Sequence, residues 1–187
     1  MAAANQAPAP RVTQRRCSGP TASVKITAQR AATEAALARA IVVLRGGDLD
    51  HLVAESVSVP RPPHAGDPTL DALPSDVKHA LAAGESTCFE MSPSRLPPAT
   101  QLVPFAELRG AVTTGRADWP AFRSRFPDAR MWFGFSPAVL SGDGRHAVVF
   151  YERTCPGRCG EAEWVWFTRD AQDAPWRIAK EWWDWVS

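Results

Sequence analysis

The chain has 187 residues, of which 45% are hydrophobic and 22% charged, ordinary values for one folded domain with or without a tail. No apolar run approaches the ~20 residues of a membrane span, and a net charge of +1 gives no global field towards nucleic acid or anionic lipid. The unusual counts are 17 Pro and 8 Trp beside a single Tyr.

Met1 to Ala22 is rich in Ala, Pro, Ser and Gln and shows no apolar periodicity. Such a stretch cannot offset its ordering entropy by burial. We therefore read residues 1–22 as a flexible basic tail and 23–187 as a single α+β domain. Arg11, Arg15, Arg16, Lys25 and Arg30 all precede the first acid, Glu34, but the tail has no aromatic residue to stack bases. Nucleic acid is not an expected partner. A secretory signal needs an apolar stretch of ~7–15 residues, and its absence places the chain as written in the cytoplasm. The alternative is an exported, periplasmic protein whose leader is missing from this sequence.

Ile26, Thr33, Leu37, Ala40, Ile41 and Leu44 fall at helical spacing, with Glu34 off that face. Gly46-Gly47 ends the helix, and Asp48 caps a short second helix with Leu49, Leu52 and Val53 inward. Val57 and Val59 predict a brief strand, and Pro60 to Pro68 a loop. Ser75 caps a helix from Asp76 to Ala83 carrying Val77 and Leu81. Thr87 to Met91 reads as a strand, Ser92 to Thr100 as a Pro-rich loop, and Gln101 to Leu108 as another strand. Asp118 then caps a helix that accepts Pro120 in its first turn and turns Trp119, Phe122 and Phe126 inward.

The last 57 residues read as four strands: Met131–Leu140, Arg145–Thr154, Glu163–Arg169 and Trp176–Val186. Their connections are short enough to force antiparallel neighbours. The expected architecture is helices packed on a curved antiparallel sheet.

Three residue sets are candidates for chemistry. Cys155 and Cys159 flank a hairpin turn whose strand ends are close enough for a disulfide; unpaired thiols or a zinc half-site are the alternatives, and no second ligand pair follows the C-x₃-C. Cys17 and Cys88 complete an even count. Trp164 and Trp166 share one strand face, and Trp183 and Trp185 share another, with Trp182 and Asp184 opposite. Aromatic surface of this kind stacks ligands, anchors partners or simply fills a core. His146 and Glu152 lie on one face of their strand and are the acid–base candidates. Glu161, Glu163, Glu181 and Asp184 read as sheet-edge or rim charges. No phosphate loop, G-x-S-x-G or H-E-x-x-H is present, and His51, His64 and His79 lack ligand spacing. No cofactor or metal is expected.

Two resemblances add to this reading. Asp143-Gly144, Ala147-Val148-Val149, Cys155-x₃-Cys159-Gly160, Trp176 and the closing Trp185-Val186-Ser187 resemble an uncharacterised, mostly bacterial family ending in strand, C-x₃-C-G, strand, W, strand, W-[IV]-S. That family's members are often exported or lipid-anchored, and Glu161-Ala162 stands where a small, Gly-rich pair is usual. Ala36 to Val59 and the stretch Trp176-Arg177-Ile178 are similar to NTF2-like domains, which implies a cone-like curved sheet around an apolar pocket. No catalytic motif of that group carries over residue by residue.

The leading expectation is a small non-catalytic binding or interaction protein that uses a Trp-rich sheet face or apolar pocket, with a small apolar ligand, a protein partner or a second copy of itself as occupant. The alternatives are an NTF2-like pocket enzyme of the isomerase, dehydratase or cyclase type, and a toxin-immunity or inhibitor protein.

Overall fold

The computed structural model describes residues 26–55, 57–58, 68–83, 89–104, 107–108, 112–113, 116–117, 119–156 and 160–186. The tail 1–22, the loop after Pro60 as far as Asp67, and Cys17, Cys88 and Cys159 lie outside them.

Helix α1 (Ala28–Leu44) starts at Thr27, whose hydroxyl accepts the Arg30 N–H, and buries Ala31, Thr33, Glu34, Leu37, Ala38, Ile41 and Val42. The buried stripe therefore differs from the expected one. Leu44 is exposed, and Glu34 is buried in an ion pair with Arg95 and Arg30. The helix stops where Gly46 takes φ +67° and the Gly47 N–H bonds the Val42 carbonyl at 2.8 Å. A Cβ at Gly47 would stand 2.6 Å from Val42 Cγ1, so the turn needs glycine for its close approach.

The expected second helix is a turn: Asp48 accepts the Asp50 N–H at 2.9 Å, and this local bond competes with helix formation. Leu52 and Val53 are buried all the same, Val53 at the start of a strand. The strands are β1 (Val53–Glu55), β2 (Val57–Ser58), β3 (Phe89–Glu90), β4 (Gln101–Val103), β5 (Val112–Thr113), β6 (Arg116–Ala117), β7 (Trp132–Phe135), β8 (Val139–Leu140), β9 (His146–Thr154), β10 (Glu161–Thr168) and β11 (Arg177–Val186). The helices after α1 are α2 (Pro68–Asp71), α3 (Ser75–Ala83) and α4 (Trp119–Arg125), with a 3₁₀ turn at Pro93–Arg95.

Seven strands form one open, curved sheet in the order β11-β10-β9-β7-β1-β4, with β8 beside β9; β2–β3 and β5–β6 are separate ribbons. The α+β class holds. The sheet is mixed rather than antiparallel, because β1 runs parallel to both β4 and β7. The antiparallel part is the C-terminal meander. The expected single strand 131–140 divides at Ser136-Pro137-Ala138, since proline has no N–H for the ladder. There the Ser136 hydroxyl accepts the Phe150 N–H at 2.9 Å. β10 and β11 carry two register shifts, between Ala162 and Glu163 and between Trp166 and Phe167.

Both sheet faces are covered by the chain's own helices. On one side Leu37, Ile41 and Val42 of α1 pack on Phe133, Phe135, Val149, Val165 and Phe167. On the other, Leu73, Val77 and Leu81 meet Val148, Phe150, Trp164 and Trp182, while Phe122 and Phe126 cover Val53, Val103 and Trp132. The second face thus needs no partner to be buried.

Candidate functional site

Where α1 ends, the side chain of Arg45 crosses onto the sheet and gathers charge from three strands. Its Nε donates to the Tyr151 hydroxyl of β9, and its Nη2 bonds Glu163 of β10 and Glu181 of β11. The Tyr151 hydroxyl donates in turn to Glu161 at 2.9 Å. Arg153 binds the other oxygen of Glu161 at 2.9 Å and the Arg45 carbonyl at 2.7 Å. The Arg45 guanidinium also faces two rings, with Tyr151 at 5.7 Å and Trp183 at 5.5 Å to the centroids. A cation is well placed at a helix C-terminus, where the unsatisfied carbonyls carry partial negative charge.

The Glu163 side chain is fully buried, and among the described residues its Oε1 has no hydrogen-bond partner. Burial pushes the Glu163 carboxyl above the usual range, against the pull of Arg45, and the carboxylates of Glu161 and Glu181 add to the rise. Burial likewise pushes the Tyr151 hydroxyl up, helped by Glu163 and Glu161. Such perturbed groups mark both active sites and structural ion networks. Here the buried carboxylate is closed off from solvent, and Trp183 lies over the guanidinium as the outermost piece.

Sequence reasoning placed Glu161 and Glu163 at the rim; both are buried, at 5% and 0% exposure. The signal was available. Residues 161, 163, 165 and 167 alternate onto one face, and the last two are Val165 and Phe167 of the α1-side core.

The Trp candidates do not form one platform. Trp164 and Trp166 face α3. There Trp164 stacks on Trp182 with centroids 6.3 Å apart and planes within 13°, and neither indole N–H has a partner among the described residues. Trp183 is on the α1 side and 54% exposed. In register Trp183 opposes Glu163 and Trp185 opposes Ala162, so a bulge interrupts the alternation between them; the side chain of Trp185 lies outside the described set.

His146 receives a hydrogen bond on Nδ1 from Trp166 Nε1 at 3.3 Å. Glu152 lies six residues further along β9, about 20 Å at ~3.3 Å per residue. One substrate atom cannot meet both, and the structure does not bring them together. Cys155 is buried and disulfide-bonded. Among the described residues no group of His, Cys, Asp and Glu has the makings of a metal site, and no helix is long and apolar enough to cross a membrane.

A second buried ion pair lies beneath α1. Glu34 meets Arg30 at 3.1 Å and Arg95 at 3.4 Å beside a cavity lined by Glu34, Arg95, Met91, Phe135 and Ser136. Its volume is about 10 Å³, room for roughly one water and not for an apolar ligand.

The exposed large hydrophobic residues in the described set are Val43, Leu44, Ile178 and Trp183. Val43 and Leu44 immediately precede Arg45, and Trp183 packs on its guanidinium. Compared with family models, with curated proteins and with solved structures, the chain matches none.

Proposed function

We propose that the chain is a non-catalytic binding protein that meets a protein partner with the surface where the end of α1 lies against β11. The observation that carries this reading is Trp183, 54% exposed and stacked on the Arg45 guanidinium, with the exposed Val43 and Leu44 just before Arg45 in the chain. A half-exposed tryptophan beside an arginine is the composition of an interface anchor. The network under Trp183 supports the reading, because an anchor held by a fixed arginine loses little rotamer freedom on binding.

The acid–base alternative has less behind it, since His146 and Glu152 lie far apart on one strand. The curved sheet backed by α1 agrees with an NTF2-like relationship, which remains part of the proposal. So does the pairing of Cys155 with Cys159 across the β9–β10 turn.

A photo-crosslinking residue placed singly at positions 43, 183 and 172, in protein expressed in its native host, tests the surface. Gln172 is exposed in the turn before β11 and serves as control. Crosslinks to the same protein from 43 and 183 but not from 172, lost when Leu44→Asp is added to the position-183 protein, are the expected result. Equal labelling at all three positions, or none, would overturn the proposal.

A further inference from the structure

The network around Arg45 is unbalanced in charge. Among the described side chains, the C-cap of α1 contributes Arg45, β9 contributes Tyr151 and Arg153, β10 contributes Glu161 and Glu163, and β11 contributes Glu181. Asp48, Asp50 and His51 of the following turn bond among themselves in solvent. Fully ionised, the network holds two guanidiniums against three carboxylates, with a neutral tyrosine between them. Glu163, the innermost of the three, has one oxygen with no hydrogen-bond partner among the described residues. An ionised carboxylate in that position lacks the donors it had in water.

We propose that this network, with three carboxylates to two guanidiniums and its innermost oxygen unpartnered among the described residues, keeps a proton on Glu163 and so acts as a latch, weakened by rising pH, that holds the end of α1 on β9, β10 and β11. With one proton retained, two positive charges face two negative ones. Losing it leaves the network net negative, with the Glu163 side chain fully buried. The sign follows from the raised carboxyl of Glu163. A group whose folded pKa lies above its unfolded value contributes stability that is whole below the usual 4.5. That contribution is lost as pH rises through the folded value. Rising pH above the ordinary carboxylate range should therefore loosen the turn at Arg45–Gly47 before it unfolds the domain. The latch stands whether or not a partner covers Trp183.

The test is a ¹³C NMR titration of the glutamate side-chain carboxyls in the full chain, with amide hydrogen exchange of residues 45–50 followed over the same pH range. One glutamate carboxyl in the wild type should titrate clearly above 4.5, and that titration should vanish in Glu163→Gln. Exchange at 45–50, corrected for its chemical rate, should rise with pH in the wild type and stay level in Glu163→Gln. Glu181→Gln, at a half-buried position, balances the network by another route and should bring the raised titration back towards the ordinary range. Three results would sink the latch: no glutamate titrating high, a high titration that survives Glu163→Gln, or one that Glu181→Gln leaves in place. None of them bears on the crosslinking result, which tests the binding surface alone.

Discussion

Arg45 and Glu163 are bonded to each other across 118 residues of sequence, one closing the first helix and the other in the middle strand of the C-terminal meander. That bond ties the helical part of the chain to the part whose antiparallel pairing is most local. Its energetics are asymmetric. A buried ion pair adds little over an apolar pair of the same volume, but removing one member strands the other.

Arg45→Met should accordingly lower stability by about 3–5 kcal/mol, because Glu163 stays buried without the guanidinium that bonds it, while Glu161 keeps Arg153. Urea unfolding measures the loss. Adding Glu163→Gln to Arg45→Met should recover part of it, since the carboxyl left without its partner is replaced by an amide that carries no charge at any pH. A double variant no more stable than the single one would show that the guanidinium acts by packing on Tyr151 and Trp183 rather than by charge.

A second pH effect belongs to the β8–β9 turn. Asp143 accepts from the Ser141 hydroxyl at 2.5 Å and from the Arg145 N–H at 2.9 Å. These bonds hold its carboxyl down at about 2, from an ordinary 3.8. A depressed pKa contributes stability that is present above the unfolded value and lost as pH falls through the folded one. Asp143→Asn should lower the urea midpoint at pH 7, and the gap from wild type should close as pH falls from 3.8 to about 2. A gap that persists below that range would mean the turn depends on the shape of the side chain and not on its charge.

The sulfur chemistry is read by alkylating protein from its native host after denaturation without reductant. Cys155 is disulfide-bonded, and the proposed pairing across the turn predicts that Cys155 and Cys159 both stay unlabelled until reductant is added. A disulfide closing so short a loop constrains the unfolded chain only modestly. Cys155→Ser should therefore cost less than the loss of Arg45. Labelling of Cys159 before reduction would assign Cys155 another partner.

How much of this was legible depended on how local the interactions are. The meander β9–β10–β11 could be read because its turns are short and its apolar residues alternate. β1 could not. It has three residues, Leu49, Leu52 and Val53 match a helical spacing as well as any strand, and its parallel pairing with β4 and β7 leaves no local mark in the sequence. Glu161 and Glu163 were read as rim residues because glutamates seldom go inside, although Val165 and Phe167 on the same alternation pointed inward. Arg45 gave no signal at all. It follows an apolar helix and precedes a glycine turn, and each of its partners is more than 100 residues away.

The two sides of the sheet make opposite predictions for tryptophan. Trp164 is 3% exposed between Phe150, Trp182 and the α3 cluster, so Trp164→Ala opens a cavity and should cost about 3–5 kcal/mol. Trp183 gives up only its stacking on Arg45, worth about 0.5–1 kcal/mol at an exposed site. Trp183→Ala should therefore leave the fold and its urea midpoint nearly unchanged while weakening capture of the partner found by crosslinking at position 43. A hot-spot tryptophan is worth about 2 kcal/mol or more when truncated, so binding should fall by roughly 30-fold or more. If Trp183→Ala instead unfolds the domain as Trp164→Ala does, the residue is a lid on the Arg45 network, and the binding surface must be sought elsewhere. If it changes neither stability nor capture, Trp183 has no binding role.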